Sequence, residues 1–240
     1  MQIIRLEEVD STNSYAKAHI EDLADCTIVH ALRQLAGRGR LNRSWVDLGG
    51  DNLFVSLVLK PSNTFNEIYP NLTQYTSVVL CKVFESYGIH PQIKWPNDVL
   101  INGKKISGIL SETVMLGKTL KGLVIGIGVN LNSSKNKLLT IPDKVATSLN
   151  LEVNKDIDVN EFLDKFLTEF FANYKTFLNK GFINIKDYYI NKNCFLNKEI
   201  SVQVLNEIKS GFAKSINDKG ELILKTKENK DIVLTIGDIL

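Results

Sequence analysis

The stretch Asp98-Val-Leu-Ile-Asn-Gly-Lys-Lys-Ile-Ser-Gly-Ile-Leu-Ser-Glu112 places two apolar runs on either side of the pair Asn102-Gly103. Asn-Gly is favoured in type I′ turns, because both central residues of that turn have a positive φ. The stretch therefore predicts an antiparallel hairpin with a type I′ turn at Asn102-Gly103.

Apolar runs rich in β-branched residues predict further strands on both sides of this hairpin. They are 3–9 at a sheet edge, 27–33, 53–60 and 119–129, and the first hairpin strand extends back to residue 92 with a break at Pro96. The run 119–129 follows a second turn at Gly117-Lys118 and contains Gly122, Gly126 and Gly128. Glycine inside a strand indicates close approach of a ligand or of another backbone.

Three helices are predicted from capping residues and from helical spacing of apolar residues. They are one that begins near Ser14 after Ser11 or Thr12 as cap, one from Pro70 to about Tyr87, and one over 159–178. The polar, lysine-rich segment 133–157 predicts a loop with a short helix.

Short runs separated by turn residues follow from about residue 195. They predict strands at 199–204, 208–215, 220–225 and 231–236, a spacing typical of a small SH3-like β-barrel. The predicted fold class is α+β. A mixed or antiparallel central sheet packed with helices occupies residues 1–190, and the small barrel occupies residues 191–240.

Composition limits the classes of function. The 240-residue chain has 29 basic and 27 acidic side chains, and this net charge of +2 disfavours bulk binding to DNA or to a membrane surface. Cys26, Cys81 and Cys194 are scattered, which predicts reduced thiols in a cytoplasmic protein. The start does not resemble a signal peptide, no run is long enough to span a membrane, and the three isolated histidines indicate no zinc site.

A second informative stretch is the Arg loop, residues 34–45, with the sequence Gln-Leu-Ala-Gly-Arg-Gly-Arg-Leu-Asn-Arg-Ser-Trp. Arginine forks suit carboxylate and phosphate oxygens, glycine lets the backbone approach a ligand, and a tryptophan face suits stacking on a base. Taken alone, the loop fits a phosphate site for a small ligand, a solvated turn or a nucleic-acid patch of the Arg-Gly type.

Four further motifs accompany the Arg loop along the chain. They are Asp10-Ser-Thr-Asn13, Lys94-Trp-Pro-Asn-Asp98, Lys105 with Gly108-Ile-Leu110 and Glu112, and Gly126-Ile-Gly-Val-Asn130. Over residues 8–132 the chain resembles biotin protein ligases, within a class II synthetase-like biotin/lipoate ligase fold. The resemblance implies ATP-dependent formation of biotinoyl-5′-adenylate and transfer of biotin to a carrier lysine. Because the first motif arrives at Ser11, we expect a ligase-only form without a DNA-reading domain or repressor function.

The resemblance implies overlapping sets of site residues. The biotin set is Ser11, Thr12, Asn13, Gln34, Arg38, Gly39, Arg40, Lys105 and Gly108. The ATP set is Arg38, Arg40, Arg43, Trp45, Lys94, Asn97 and Asn130. The catalytic set is Lys105, Arg40, Lys94 and Asp98, and Asp98 is also the expected Mg²⁺ ligand. Trp45 is expected to stack on adenine, Asn130 to bond the adenine edge, and the Arg loop to be mobile until its ligands bind.

The implied substrates are ATP and biotin, with Mg²⁺, and the implied partner is a biotin carboxyl carrier protein, with neither DNA nor a membrane. A monomer and a homodimer are both compatible with the sequence. The nearest alternative is a lipoate or octanoate protein ligase, which shares this fold, although the Gly-Arg-Gly-Arg and Lys-Trp-Pro-Asn-Asp motifs favour biotin. A non-catalytic nucleic-acid-binding module and a biotin sensor without activity are the remaining alternatives.

Overall fold

The computed structural model describes residues 1–141 and 145–240, and for Asn42 the backbone only. The strands are β1 (Ile3–Val9), β2 (Thr27–Gln34), β3 (Leu53–Leu59), β4 (Pro91–Lys94), β5 (Asp98–Ile101), β6 (Lys104–Leu116), β7 (Thr119–Val129), β8 (Glu199–Val204), β9 (Glu207–Ile216), β10 (Leu222–Lys225), β11 (Asp231–Leu234) and β12 (Asp238–Ile239). The helices are α1 (Thr12–Ala18), α2 (Leu72–Glu85), α3 (Lys135–Leu138), α4 (Leu149–Val153), α5 (Val159–Lys180) and α6 (Lys186–Lys192), with short 3₁₀ turns at Arg40–Asn42, Tyr69–Asn71 and Gly181–Asn184.

The first seven strands form one mixed sheet in the order β1-β2-β3-β7-β6-β5-β4. Strands β1 and β2 are parallel, and the other neighbours in the sheet are antiparallel. The prediction of a mixed or antiparallel central sheet, with residues 3–9 at its edge, is confirmed.

The hairpin predicted at Asn102-Gly103 forms between β5 and β6, near the β4 edge of the sheet. Asn102 and Gly103 have φ of 50° and 75°, as a type I′ turn requires, and Ile101 pairs with Lys104. Further along, Val99 pairs with Ser107 but Leu100 pairs with Lys105, so β6 carries one extra residue at this point. This β-bulge changes which face of the sheet the side chain of Lys105 occupies.

Helices cover both faces of the central sheet. Helix α5 begins after Asp158, whose carboxylate accepts the backbone N–H groups of Asn160 and Glu161, and its buried aromatic stripe packs with α2 in the main core. The smaller α1 packs its Ala16 on the opposite face against Val29 of β2 and Val58 of β3. The apolar stripe of α5 is core packing, as its helical spacing predicts.

The last five strands form an antiparallel sheet in the order β11-β10-β9-β8-β12. The strand pairings of the described residues leave β11 and β12 at its two edges, so the predicted barrel is not closed by strand pairing. Apolar residues of this sheet belong to the same hydrophobic core as the central sheet. The turn before β10 contributes to this docking, because the carbonyl of Gly220 accepts the side-chain amide of Gln74 at 2.8 Å and the indole N–H of Trp95 at 3.2 Å.

Several element boundaries differ from the sequence-based prediction. The helix expected from Pro70 begins as a 3₁₀ turn and becomes α2 at Leu72. Strand β10 starts at Leu222, β11 ends at Leu234, and neither α6 nor β12 was predicted. The predicted loop over 133–157 contains two short helices, and its residues 142–144 lie outside the described residues. None of the described helices is long and apolar enough to cross a membrane.

Candidate functional site

A pocket opens above the glycines of β6 and β7, between α1, the Arg loop and β12. Every site residue predicted from the sequence lines this pocket: Ser11, Thr12, Asn13, Gln34, Arg38, Gly39, Arg40, Arg43, Trp45, Lys94, Asn97, Asp98, Lys105, Gly108 and Asn130. The structure therefore brings the separate motifs together, while the individual roles assigned to them remain predictions.

One end of the pocket, the neutral end, consists of uncharged side chains that are paired with one another. The Gln34 carbonyl oxygen accepts the backbone N–H of Thr12 at 2.8 Å and its hydroxyl at 3.1 Å. The Ser56 hydroxyl lies 2.8 Å from the Thr12 hydroxyl and donates to the Asn13 carbonyl oxygen at 2.6 Å. All four side chains are buried, and Ser11 caps α1 by accepting the N–H of Ser14. This end has a fixed set of donors and acceptors before any ligand binds.

A glycine makes room for Asn13 at the neutral end. A Cβ atom on Gly126 would lie 2.2 Å from the Asn13 carbonyl oxygen, which is far inside van der Waals contact. The Asn13 amide group also donates to the Leu110 carbonyl at 3.2 Å and to Glu112 at 2.9 Å. The glycine that the sequence marks as a close-approach position therefore accommodates a side chain of the site itself.

The opposite end, the charged end, contains two lysines and Asp98. Lys105 pairs with Asp98 at 2.6 Å. The β-bulge directs the Lys105 side chain to the same face as Gly108, and a Cβ atom on Gly108 would lie 3.2 Å from the lysine Nζ. The backbone of Lys105 is held on its other side by N–H···O bonds of 2.9 Å with Val145 and Thr147. Lys94 also lines this end, and within the described part of the chain it has no ion-pair partner.

The Arg loop folds back on itself as a small hairpin. Gly39 N–H donates to the Arg43 carbonyl at 2.7 Å and Trp45 N–H to the Gly37 carbonyl at 2.9 Å, and Arg38 bridges Ser44. This pairing gives the loop a defined shape in the described structure. Its expected mobility in the empty protein stays a prediction.

Two carboxylates hold the arginines of this loop. Arg38 contacts Glu112 at 3.2 Å, whereas Arg40 and Arg43 contact Asp238 of β12 at 3.0 and 2.8 Å. Arg40 also donates to the Gly237 carbonyl at 3.2 Å and to the Asn97 side chain at 2.9 Å. The last strand of the second sheet thus completes the charged end of the pocket.

Burial and ion pairing act in opposite directions on Glu112. Partial burial alone would raise the pKa of this carboxyl, but the Lys17 ammonium at 2.6 Å, the Asn13 amide and the charge of Arg38 together hold its pKa below the ordinary value. Glu112 is therefore an anion at neutral pH, and it forms part of the wall that supports both the neutral end and the Arg loop.

Trp45 packs its indole ring against the glycines that form the floor of the pocket. A Cβ atom on Gly128 would approach its ring to 2.4 Å, and one on Gly108 to 2.9 Å. The ammonium of Lys105 is 5.6 Å from the ring centroid, within the range of a cation–π contact. The two glycines are thus required for the observed position of the indole.

The Asn130 side chain is hydrogen-bonded to the backbone of the segment around Thr147. Its amide donates to the Thr147 carbonyl at 3.0 Å, and its own backbone N–H and carbonyl bond Ile106 and Leu149. The residue lies at the pocket wall and fixes the segment that also pairs with Lys105. The predicted contact between Asn130 and an adenine edge remains untested.

Two residues of the site were missed by the sequence analysis, and a third was quoted without a role. Asp238 lies in a strand that was not predicted and is far from the Arg loop along the chain. Ser56 sits within an apolar run that reads as a fully buried strand. Glu112 was part of a quoted motif, but nothing in the sequence indicated that it would contact both Asn13 and Arg38.

The residues present fit a Mg²⁺ ion bound mainly through ligand oxygens. Among the described residues, no group of three His, Cys, Asp or Glu side chains is placed to hold a metal. Asp98 offers one carboxylate at the charged end, and Mg²⁺ commonly takes one or two carboxylates together with phosphate oxygens and water. Asp98 is paired with Lys105 at 2.6 Å in this structure, and its role as a Mg²⁺ ligand stays a prediction.

The fold and the pocket define a class of protein: an α+β protein whose pocket joins a neutral hydrogen-bonding end to a cationic end. A model of the biotin/lipoate A/B protein ligase family matches residues 6–130, about half of the chain. The structural alignment with a solved biotin protein ligase covers all of this chain. The chain belongs to this family.

Individual relatives agree with this assignment. The bifunctional ligase/repressor BirA of Bacillus subtilis is 34% identical over 203 residues, which are 84% of this chain and 62% of that protein. The biotin--[acetyl-CoA-carboxylase] ligase of Paracoccus denitrificans is 31% identical over 236 residues, which are 95% of this chain and 96% of that protein. The chain thus spans less than two thirds of the Bacillus relative and nearly all of the Paracoccus relative.

A solved structure has the same fold. The biotin protein ligase from Aquifex aeolicus in complex with biotin and ATP has a TM-score of 0.79 and 31% identity to this chain, and the alignment covers 100% of this chain and 97% of that one. The coverage includes the second sheet, so both sheets have counterparts in a structure that holds both small molecules.

Proposed function

We propose that this protein is a biotin–protein ligase that activates biotin with ATP and transfers it to a lysine of a carrier protein. The observation that carries the proposal is the continuity of the pocket. The neutral end around Thr12 and Gln34 meets the charged end around Lys105 above the same glycine floor. Such a pocket suits a ligand with a polar uncharged ring at one end and a carboxylate at the other.

In the first step a carboxylate oxygen of biotin attacks the α-phosphorus of ATP, the bond to the β-phosphate oxygen breaks, and pyrophosphate leaves. Both reactants are anions, so fixed positive charge is needed where they meet. Lys105 lies at this junction, and Lys94, without an ion-pair partner in the described structure, is available to phosphate oxygens. Arg38, Arg40 and Arg43 supply charge from the loop side.

The adenosine part of ATP has two candidate contacts. Trp45 offers an indole face that suits stacking on adenine, and Asn130 stands at the pocket wall. The magnesium ion that accompanies ATP would be held by Asp98 and would neutralise phosphate charge. In this proposal no side chain of the protein forms a covalent bond to biotin or to the nucleotide.

In the second step the ε-amine of the carrier lysine attacks the acyl carbon of the adenylate. The carbon–oxygen bond to AMP breaks, AMP leaves with its electron pair, and the amine loses a proton. The partner we propose is a biotin carboxyl carrier domain, in keeping with the name of the Paracoccus relative. We propose the cytoplasm as the location, because the reaction consumes ATP, and the net charge of +2 supports no role for DNA.

The test is ATP–pyrophosphate exchange by the purified protein with biotin, lipoate and octanoate in parallel. Exchange with biotin alone is the expected result and identifies both the chemistry and the acyl substrate. Exchange with lipoate or octanoate instead would overturn the substrate assignment. No exchange with any of the three, together with tight biotin binding by calorimetry, would indicate a biotin sensor without activity.

A further inference from the structure

Glu112 connects three elements that the proposed reaction uses. Its Oε2 atom accepts the Asn13 amide at 2.9 Å, and its Oε1 atom is shared by Lys17 at 2.6 Å and Arg38 at 3.2 Å. Asn13 and Lys17 are four residues apart, so they lie on the same face of α1. One carboxylate on β6 therefore meets one face of α1 and the first arginine of the Arg loop.

The partners of Glu112 are needed because its carboxylate is largely removed from water. The side chain is 17% exposed, and a carboxylate that loses hydration requires hydrogen bonds and opposite charges in return. Lys17 and Asn13 belong to the folded body of the protein. Arg38 belongs to a loop whose side chains are more exposed, at 44% for Arg38 itself.

The hairpin shape of the Arg loop links the position of Arg38 to that of Trp45. The Arg38–Ser44 bridge and the Trp45 N–H bond to the Gly37 carbonyl tie the start of the hairpin to its end. When Arg38 is held by Glu112, the indole of Trp45 is set down on the glycine floor of the pocket. Without that contact, the loop keeps its Asp238 contacts but loses its attachment on the Arg38 side.

We propose that Glu112 is a positioning residue that ties the Arg loop to Asn13 and so to the neutral end of the pocket. The loop then covers the site in a fixed relation to the acyl group rather than as an independent flap. This inference rests on the proposed function for its catalytic consequence, while its structural part concerns the protein without ligands.

The first experiment needs no ligand. The protein has two tryptophans, of which Trp95 is 2% exposed and Trp45 is half-buried, so acrylamide quenching of the fluorescence reports mainly on Trp45, with W45F to assign the signal. In E112Q, which keeps the shape and removes the charge, we expect the quenching constant to rise about twofold, because loss of one anchoring contact opens a weakly held surface segment. The control K17M removes the other cation from the same oxygen and should leave the quenching unchanged.

The second experiment measures retention of the intermediate. We expect E112Q to release the acyl-adenylate about two- to fivefold faster than the wild type, which corresponds to the loss of one partly exposed charged contact, and K17M to release it at the wild-type rate. In the quenching experiment, the fluorescence of the double variant R38M/E112Q should be quenched no more than that of R38M. The contact between Arg38 and Glu112 is already lost in R38M.

Unchanged quenching in E112Q would overturn the proposal, as would K17M changing quenching as much as E112Q. If E112Q fails to fold, E112D and R38M replace it: Asp keeps the charge but is one methylene too short to span both partners, and both variants should increase quenching, whereas wild-type quenching in both would overturn the proposal. Absence of biotin-dependent exchange in the wild type would count against the proposed function and not against this contact, since quenching is measured without ligand.

Discussion

The two ends of the pocket are constructed differently. At the neutral end Thr12, Gln34 and Ser56 are at most 8% exposed and bond one another, all within the central sheet and the adjoining helix. At the charged end Arg40 and Arg43 are 21% and 48% exposed and pair with a carboxylate of the second sheet. One end is built inside one unit of structure, and the other is assembled between two.

This difference indicates different tasks. Buried hydrogen bonds are costly to leave unmade, so the neutral end selects a ligand by matching fixed donors and acceptors. Partly exposed ion pairs contribute little to stability, and each guanidinium has five N–H donors, so incoming phosphate oxygens can bind Arg40 and Arg43 while Asp238 keeps both side chains at the pocket. Changes at the neutral end should therefore affect acyl binding and stability, and changes at the charged end should affect rate and salt dependence.

The largest expected effect comes from K105A. Removal of the ammonium at the junction should lower the rate of biotin-dependent pyrophosphate exchange by about 10²–10³-fold, as the loss of one transition-state contact does elsewhere. The thermal midpoint should change little, because Lys105 contributes to no apolar core. The neighbouring K104A, at an exposed position, is the control. A large loss of stability, or full activity, would contradict the assigned role.

A second substitution tests the neutral end. In G126A the new methyl group meets the Asn13 carbonyl oxygen, and overpacking of this kind destabilises a fold by about 1–3 kcal/mol. Biotin binding should weaken about tenfold or more as Asn13 moves, while ATP affinity, measured on the same variant by calorimetry, should stay within about twofold. Equal weakening for both ligands would show that movement of Asn13 also disturbs the nucleotide contacts, by way of Glu112 and Arg38.

A smaller effect is expected from D238N at the charged end. Loss of the shared counter-ion should raise the KM for ATP about two- to fivefold, because Arg40 and Arg43 are no longer held at the pocket. The difference should shrink at about 1 M salt, where such contacts are screened. D231N, which removes an ion pair with Lys214 in the same sheet, should leave the KM unchanged, and an equal effect there would point to general loosening of that sheet.

The smallest predicted effect is a pH dependence at Glu112. Because its pKa in the folded state lies below the ordinary value of 4.5, its contribution to stability is present above pH 4.5 and is lost as the pH falls through the folded pKa. The wild type should thus be more stable than E112Q at neutral pH, and the difference should disappear below that window. Chemical denaturation of both proteins across the acid range measures it, and a constant difference would exclude the ion pairs as its cause.

The sequence predicted the strands and helices well where a local pattern dictates them. The Asn102-Gly103 turn, the glycine-bearing strand and the aromatic stripe of α5 each depend on neighbouring residues, and each is found as predicted. The barrel was not found as a closed structure, because closure depends on pairing between distant edge strands. Strand β12 has only two residues, too few to form a recognisable pattern.

The candidate site was predicted by motif but not by contact. Every site residue that was predicted from the motifs lines the pocket. The direction of the Lys105 side chain, however, depends on the bulge opposite Val99 and Leu100, and no residue pattern predicts that bulge. The contact of Asp238 with Arg40 joins residues about 200 positions apart, and the contact of Glu112 with Arg38 joins residues 74 positions apart. Long-range ion pairs of this kind follow only from the completed tertiary structure.

The pairing of β3 with β7 has a consequence for the order of folding. Leu53 pairs with Val129, so the floor of the pocket unites two parts of the chain that are synthesised far apart, and such non-local pairing is slow relative to hairpin closure. The hairpin of β5 and β6 is able to form early, whereas the pocket exists only after β3 has joined β7 and the second sheet has docked. During refolding, biotin binding should therefore lag behind the recovery of secondary structure and should report the arrival of the last contacts.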